Sequence, residues 1–493
     1  MAGGMKRLAK DTAIYGLSSI IGRFLNWMLV PLYTRVLANT ADYGVVTNLY
    51  GWTALLLVIL VCGMETGLFR FINHKEEQEP LRVYATTLYT VAAVAVVFLV
   101  AVFSFISPIN SALGYSSHPE YVAMMAGIVA VDAFCCIPFA YLRYRGKAIR
   151  FAVIKLLNIG LNIALNLFFL LVCPLIHNSH PEWISWFYRA DYGVGYIFIS
   201  NVFTTALTFA LLLPDMLPGL RSRMDIGRLK KIFAYSFPIL ILGVAGIFNQ
   251  AADKILFPFM FDNQDYANAQ LGIYGACFKI AVVMVMFIQA FRYAYEPFIF
   301  AKNREKDNRV AYAEAMKYFI IFALAIFLGV MYYLDILKYI VDAKYYEGLS
   351  VVPIVMLGEL FFGIYFNLSV WYKLTDRTVW GAIFSVTGCL ATVAIIILFV
   401  PHYGFMACAW ASFASNLLMM LLSYFIGRKK YPVAYDLRSA LIYTLLAAAL
   451  YAAAFVPSVE NVWLKLAYRS GLLLIFGGFA VWREYFIQLK YKK

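Results

Sequence analysis

Charged residues are scarce in this chain. Asp, Glu, Lys and Arg make up 14% of its 493 residues, hydrophobic residues make up 63%, and the mean hydropathy is +0.75. A soluble domain is about one-quarter charged and nearer half apolar. This shortage of charge excludes a large soluble domain. Apolar runs of about 20 residues recur throughout and predict an all-α polytopic membrane protein.

Histidine and cysteine are also few, and neither suggests catalytic or metal chemistry. The five histidines fall in loops and the seven cysteines in or beside apolar runs, without the spacing of metal ligands. Cysteine in such surroundings packs as a small apolar residue. The sequence therefore predicts no metal site, no cofactor and no enzymatic activity.

The apolar runs predict fourteen transmembrane helices. Helices are expected because a backbone exposed to lipid must satisfy its own hydrogen bonds. The predicted spans are approximately 11–37, 43–65, 82–106, 121–141, 150–174, 192–213, 232–257, 270–299, 311–333, 351–372, 378–400, 404–427, 436–456 and 462–482.

The loops between these spans alternate in charge. Lys and Arg cluster in one set, for example at 143–150 and 221–231, whereas the opposite loops Ser107–Glu120 and Phe259–Ala269 contain neither. By the positive-inside rule the basic loops are cytoplasmic. Both termini are then cytoplasmic, as an even number of spans requires. The net charge of +14 is therefore explained by basic loops that set the membrane topology. This explanation argues against nucleic acid as a partner.

The apolar runs repeat at a nearly fixed distance, which predicts a duplicated six-helix unit. Two such halves would be parallel repeats, related by a pseudo-two-fold axis along the membrane normal, with two further helices at the C-terminus. The matched residues are Pro31 with Pro258, Gly44 with Gly272, and Pro174 with Pro401, which lie 227, 228 and 227 residues apart. The predicted division is an N-lobe at 1–213, a cytoplasmic linker at 214–231, a C-lobe at 232–427 and a C-terminal segment at 428–493.

Several ionisable residues lie inside the predicted spans, where each costs about 2.5–3.5 kcal/mol on insertion scales. Cations outnumber anions there, which predicts a cavity for an anionic group such as phosphate or pyrophosphate. Interhelical hydrogen bonds and ion pairs are the other interpretation of these residues. The candidate substrate-binding residues are Arg23, Asn26, Lys155, Asn158, Asn162, Lys279 and Arg292. Asp253 and Lys254 are adjacent on one helix, so we expect them to point apart and not to pair.

Short segments spread over the chain resemble the Wzx-type polysaccharide flippases. That family, which includes O-antigen flippases, belongs to the multidrug/oligosaccharidyl-lipid/polysaccharide exporter (MOP) superfamily. The segments are Lys10–Gly16, Gly22–Phe24, Val30–Arg35, Asp42–Gly44, Gly63–Thr66 with Arg70 and Phe71, Leu142–Ala148 and Leu229–Pro238.

The resemblance implies a non-enzymatic function. Such proteins flip an undecaprenyl-pyrophosphate-linked oligosaccharide across the bacterial cytoplasmic (inner) membrane by alternating access, for lipopolysaccharide O-antigen or exopolysaccharide synthesis. Arg23 matches the arginine of the family's cationic cavity, whereas Lys155, Lys279 and Arg292 are proposed from their depth alone. The resemblance also implies coupling to H⁺ or Na⁺, contact with membrane lipids, and a polysaccharide polymerase as a partner. The candidate coupling carboxylates are Glu65, Asp253 and Glu359.

Two other functions stay open at this point. A multidrug extruder of the same superfamily would be expected to have a cavity dominated by carboxylates, whereas cations dominate here. A membrane-embedded polysaccharide polymerase or ligase would need large outside loops with catalytic groups, whereas the outside loops of this chain are short.

Overall fold

The computed structural model describes residues 21–73, 79–302, 308–375, 377–456 and 461–491, and this part of the chain is helical without any strand. The helices are α1 (21–27), α2 (Val30–Val36), α3 (Thr40–Val61), α4 (Met64–Ile72), α5 (Pro80–Ser104), α6 (Ile106–Leu113), α7 (Pro119–Tyr144), α8 (Ala148–Leu167), α9 (Cys173–Ser179), α10 (Pro181–Ile184), α11 (Gly193–Leu220), α12 (Ile226–Leu256), α13 (Gln264–Lys302), α14 (Asn308–Tyr332), α15 (Leu334–Leu337), α16 (Val351–Leu368), α17 (Val370–Leu374), α18 (Val379–Tyr403), α19 (Phe405–Lys430), α20 (Leu437–Ala453) and α21 (Val462–Tyr491). A π-helical turn, Phe168–Val172, joins α8 to α9, and 3₁₀ turns lie at Phe257–Met260, Lys338–Ile340 and Ala343–Ser350.

The predicted class, an all-α polytopic membrane protein, is confirmed. Within the described residues, twelve helical segments are long and apolar enough to cross a membrane. The thirteenth predicted span corresponds to α20, a shorter apolar helix of 17 residues. The first predicted span, 11–37, is described only from residue 21, and α1 and α2 form that part with a break at residues 28–29.

The chain forms two compact units, Met1–Gly275 and Ala276–Lys493. In the first unit α7 packs against α3, α5 and α11, α8 packs against α11, and α12 packs against α3 and α4. In the second unit α19 packs between α16 and α18, and α14 contacts α20 and α21. The first unit therefore contains α12 in addition to the six predicted spans of the N-lobe. The lobe boundaries expected from the sequence stay a prediction.

Two glycines that the repeat pairs with each other meet in the first unit. A Cβ atom at Gly44 would lie 1.8 Å from the backbone oxygen of Asn268, and one at Gly272 would lie 1.9 Å from that of Thr40. The Gly272 position is also 2.9 Å from the backbone nitrogen of Gly44. Small residues permit such close helix packing in membranes. The approach of α3 to the start of α13 therefore explains why both positions carry glycine.

Two groups of charged residues fix α14 to the C-terminal helices in the second unit. At one end of α14, Lys317 forms an ion pair with Glu484 of α21, and both side chains are about nine-tenths buried. The Tyr443 hydroxyl of α20 donates to the same carboxylate at 2.8 Å. Buried charges are tolerated when they are paired and hydrogen-bonded in this way.

At the other end, Asp335, which follows α14, accepts from Arg469 at 2.8 Å and from Lys465 at 2.7 Å. Partial burial by itself would raise the pKa of Asp335. The hydrogen bonds and charges of Lys465 and Arg469 outweigh that effect and hold the pKa below its ordinary value. Arg469 also donates to the backbone oxygen of Tyr332 at 3.1 Å.

Candidate functional site

Two of the predicted cations lie on neighbouring helices of the first unit. A Cβ atom at Gly22 of α1 would lie 2.6 Å from Cδ1 of Ile159 on α8, so these two helices are in contact there. Arg23 follows Gly22 directly, and Lys155 lies one helical turn before Ile159. Both Arg23 and Lys155 are exposed, as is Asn26.

Lys155 packs on an aromatic ring and does not form a close ion pair. Its Nζ lies 4.2 Å from the centre of the Phe139 ring, a distance that allows a cation–π interaction. Within the described part of the chain, no carboxylate oxygen lies within the 4.0 Å of a salt bridge to Lys155. Asp132 of α7 interacts with the ammonium electrostatically from farther away. That carboxylate also accepts a hydrogen bond from Thr205 at 3.2 Å.

The predicted amides of α8 hydrogen-bond to α11. Asn158 donates to the Thr204 backbone oxygen at 3.1 Å and to the Thr208 hydroxyl at 2.8 Å. Asn162 donates to Asn201 at 3.0 Å. These bonds position α8, and with it Lys155, against α11. A direct substrate contact by Asn158 or Asn162 stays a prediction.

The expectation that Asp253 and Lys254 do not pair is wrong. Lys254 Nζ lies 3.0 Å from both carboxylate oxygens of Asp253. The flexible four-carbon stem of lysine lets its ammonium fold back around the helix to a neighbour whose Cβ points elsewhere. The Tyr274 hydroxyl also donates to Asp253 at 2.6 Å, and Asn48 donates to the backbone oxygen of Lys254 at 2.7 Å.

The second candidate coupling carboxylate, Glu65, is also paired. It lies in the first turn of α4 and forms an ion pair with Arg143 in the last turn of α7. The Arg143 guanidinium also lies 4.9 Å from the centre of the Phe69 ring. In the first unit, Glu65 and Asp253 therefore each have a cationic partner.

The remaining candidates belong to the second unit. Lys279 and Glu359 are half-buried on α13 and α16. Arg292, also half-buried, places its guanidinium 4.2 Å from the centre of the Phe366 ring. Lys373 of α17 lies 4.4 Å from the same ring centre, so two cations converge on one aromatic side chain.

The sequence reasoning missed several charges that the structure buries, chiefly Lys317, Arg469 and Glu484. Lys317 and Arg469 lie inside predicted spans. A charge at such a position was the signal that could have identified them as buried residues with partners. Their partners could not be identified from one sequence, because the partners come from helices more than 130 residues away. The described residues contain no group of three or more His, Cys, Asp or Glu side chains placed to hold a metal ion.

Comparison with solved structures identifies the fold. The lipid II flippase MurJ, in an inward closed conformation, matches with a TM-score of 0.73 and 13% identity, covering 95% of this chain and 99% of that one. An inward-facing multidrug resistance MATE family transporter of the MOP superfamily matches with a TM-score of 0.64 and 13% identity, covering 86% and 96%. The MATE multidrug transporter DinF-BH, in a ligand complex, matches with a TM-score of 0.59 and 16% identity, covering 86% and 96%. The fold is thus that of MOP-superfamily flippases and transporters.

Comparison with protein families identifies the particular family. The family described as polysaccharide biosynthesis protein matches residues 8–300, more than half of the chain. No curated protein matches the chain significantly. The chain belongs to the polysaccharide biosynthesis protein family, which confirms the resemblance seen in the sequence.

Proposed function

We propose that this protein is a flippase for an undecaprenyl-pyrophosphate-linked oligosaccharide used in bacterial surface polysaccharide synthesis. The observation that carries this proposal is the placement of two exposed cations, Arg23 and Lys155, beside the contact of α1 with α8. Family membership and the fold shared with a lipid II flippase support the same conclusion.

The physical argument rests on the cost of charge in a membrane. A lysine or arginine facing hydrocarbon costs about 2.5–3.5 kcal/mol on insertion scales. The described contacts of Lys155 are an aromatic ring and a carboxylate beyond ion-pair distance, so these contacts do not include a close anionic partner. A pyrophosphate carries the opposite charge and accepts hydrogen bonds from lysine and arginine side chains. We infer that a pyrophosphate headgroup supplies the close counter-charge for Lys155, and that Arg23, which follows the Gly22 that touches Ile159, contributes to the same site.

The pairing of carboxylates favours this function over extrusion of cationic drugs. An extruder of cations needs carboxylates that are available to its substrate. In the first unit Asp253 is occupied by Lys254 and Tyr274, and Glu65 by Arg143. A cationic drug would have to displace these partners to reach Asp253 or Glu65, whereas Asp132 is bonded to Thr205 and has Lys155 as a cation beyond ion-pair distance.

Ion coupling belongs to the same proposal. Transport of the headgroup against its own concentration gradient needs an energy source, and H⁺ or Na⁺ would bind a carboxylate. Glu65, Asp253 and Glu359 are the candidates. The ion pairs of Glu65 and Asp253 would have to open when such an ion binds, which would link ion binding to helix movement.

The cellular setting follows from this function. We propose the bacterial cytoplasmic membrane, with both termini in the cytoplasm, and a polysaccharide polymerase that receives the flipped lipid-linked oligosaccharide. Membrane lipids are the other partners, and no nucleic acid is involved.

The test is surface polysaccharide export in a host that depends on this protein. We expect Arg23→Ala to abolish export while the variant is still found in the membrane at normal abundance. Arg223→Ala, which removes an exposed cation from the loop before α12, is the matched control and should export normally. Normal export by the Arg23→Ala variant would remove Arg23 from the mechanism.

A further inference from the structure

A half-buried carboxylate lies near the middle of a membrane-spanning helix in the first unit. It is Asp132 of α7, and its Oδ1 accepts a hydrogen bond from the Thr205 hydroxyl of α11 at 3.2 Å. An ionisable residue at such a depth is costly and commonly marks a functional site. The groups that face Asp132 therefore indicate what this carboxylate does.

The exposed Lys155 of α8 supplies the positive charge that faces this carboxylate. Its Nζ lies 4.2 Å from the centre of the Phe139 ring, and Phe139 follows Asp132 by two turns on the same face of α7. Aromatic side chains of a helix lean toward its N-terminus, so the ring brings the ammonium toward Asp132. The two charges interact from beyond ion-pair distance. Lys155 is thus a counter-charge for Asp132 that an anion can still reach.

The helices around Asp132 contribute no other charge at this depth in the part of the chain that is described. α7 packs against α3, α4, α5, α6, α8 and α11. Apart from Lys155, the charged residues of these helices lie toward their ends, and they are Asp42, Glu65, Arg70, Arg82, Arg150 and Asp215. On α7 itself, the neighbouring titratable groups are the thiols of Cys135 and Cys136. The charge state of Asp132 therefore depends mainly on Lys155.

A bound pyrophosphate would compete with Asp132 for this one cation. Phosphate oxygens accept short, charge-assisted hydrogen bonds from a lysine ammonium. Asp132 would then face a neutralised Lys155 and an additional negative charge, and both changes disfavour its charged form. Binding of a proton to Asp132 removes that repulsion. Headgroup binding and proton binding therefore promote each other, because such coupling is reciprocal.

We propose that Asp132 takes up a proton from water when the headgroup binds at Lys155, so that headgroup and proton are carried together. This inference rests on the proposed function, since it needs an anionic headgroup at Lys155. It assigns proton binding to a carboxylate other than Glu65, Asp253 and Glu359. Its sign is opposite to that of a cation exchanger, in which a cationic substrate would displace the proton from the carboxylate.

The test is calorimetric titration of the purified full-length protein in detergent with undecaprenyl pyrophosphate. Titrations at one pH in buffers of different ionisation enthalpy give the number of protons taken up per lipid bound. We expect wild type to take up more protons than Asp132→Asn, by up to about one proton per lipid. Any proton bound by the pyrophosphate itself is common to both proteins, so the difference reports on Asp132.

The affinity for the same lipid gives a second readout. Asparagine can still accept the hydrogen bond from Thr205, but it leaves Lys155 entirely to the headgroup. Asp132→Asn should therefore bind the lipid about five-fold more tightly than wild type at alkaline pH, the lower end of typical coupling between two sites. The ratio of the two affinities should fall toward one as the pH is lowered, because Asp132 of wild type is then already protonated.

Two further variants complete the test. Thr205→Val keeps the carboxylate and removes a hydrogen bond that stabilises its charged form, so its proton uptake should be greatest at a higher pH than in wild type. Asp191→Asn is the matched control, since Asp191 is an exposed carboxylate in the loop before α11. It should take up protons as wild type does.

The outcomes separate this inference from the proposed function. Equal proton uptake by wild type and Asp132→Asn, with lipid bound by both, would overturn the inference and leave the flippase function intact. Weaker binding by Asp132→Asn at alkaline pH would show that Asp132 only positions Lys155, and would overturn it as well. So would a Thr205→Val variant with the uptake profile of wild type. Absence of lipid binding by wild type would overturn the proposed function and this inference together.

Discussion

The pairing of Asp253 with Lys254 leads to a quantitative prediction about stability. The carboxylate and the ammonium are 3.0 Å apart, with 8% and 17% of their side chains exposed. Two unit charges at that distance attract by about 5 kcal/mol at an effective dielectric constant of about 20. Part of this energy is offset by the desolvation of both groups. Removal of one partner from a buried pair costs about 3–5 kcal/mol, because it leaves the other charge uncompensated.

We therefore expect Asp253→Asn to lower the free energy of unfolding by about 3 kcal/mol. The asparagine oxygen can still accept from the Tyr274 hydroxyl, so the loss reports mainly on the ion pair. Lys254→Met should cost a similar amount. The double variant should be more stable than the sum of the two losses predicts, because it leaves no unpaired charge. The assay is thermal unfolding of the purified protein in detergent.

Asp262→Asn is the control, since Asp262 is exposed in the loop between α12 and α13 and its change should stay within about 0.5 kcal/mol. Additive losses in the double variant would refute the reasoning. So would an Asp253→Asn variant as stable as this control. The same variants also bear on coupling. If Asp253→Asn flips substrate with an unchanged response to H⁺ and Na⁺ gradients, Asp253 is not the coupling carboxylate.

Three other predictions concern packing and charge. Gly44→Val should prevent α3 from approaching the backbone of Asn268 and should sharply reduce the yield of folded protein, measured by size-exclusion chromatography. Lys317→Met should lower the unfolding temperature by several degrees, because it leaves the buried Glu484 with the more distant Arg483 as its cationic partner, and Lys317→Met/Glu484→Met should recover most of that loss. The lowered pKa of Asp335 means that its contribution to stability is present near neutral pH. That contribution is lost as the pH falls through the folded-state pKa, so wild type and Asp335→Asn should converge in unfolding temperature on acidification.

Each of these predictions has a result that contradicts it. A normal yield for Gly44→Val would show that the two backbones can separate at little cost, and Gly471→Val, at a position with open space around it, is the matched control. An unfolding temperature for Lys317→Met equal to that of wild type would mean that Glu484 keeps adequate partners in Tyr443 and Arg483. A constant stability difference between wild type and Asp335→Asn across acidic pH would contradict the predicted direction of the pH dependence.

The class of protein could be predicted from the sequence, because the hydropathy of a run and the charge of a loop depend only on a short stretch of the chain. Each apolar run needs a helix in lipid, so the long helices α5, α7 and α18 follow from composition alone. The break between α1 and α2 at residues 28–29, and the π-helical turn after α8, interrupt continuous apolar runs and could not be located in the same way.

The ion-pair partners of individual charged residues could not be predicted from the sequence, for a different physical reason. Side-chain reach decides whether Lys254 folds back onto Asp253, and helix direction alone led to the wrong expectation. The partners of Lys317 and Arg469 depend on tertiary packing of helices that are distant in sequence. For two glycines, in contrast, the sequence did point to positions that matter for tertiary packing. The repeat drew attention to Gly44 and Gly272, and the close approach of their helices supplies the physical reason for both.

The central claim is that Lys155, beside Arg23, contacts water and the anionic headgroup of the substrate. The most direct measurement is the labelling rate of the Lys155→Cys variant, with all seven native cysteines replaced, by a membrane-impermeant thiol reagent. We expect labelling, because the account places this position in contact with water. The Val97→Cys variant, on an exposed apolar face of α5, should stay unlabelled. An unreactive thiol in the Lys155→Cys variant would contradict the account.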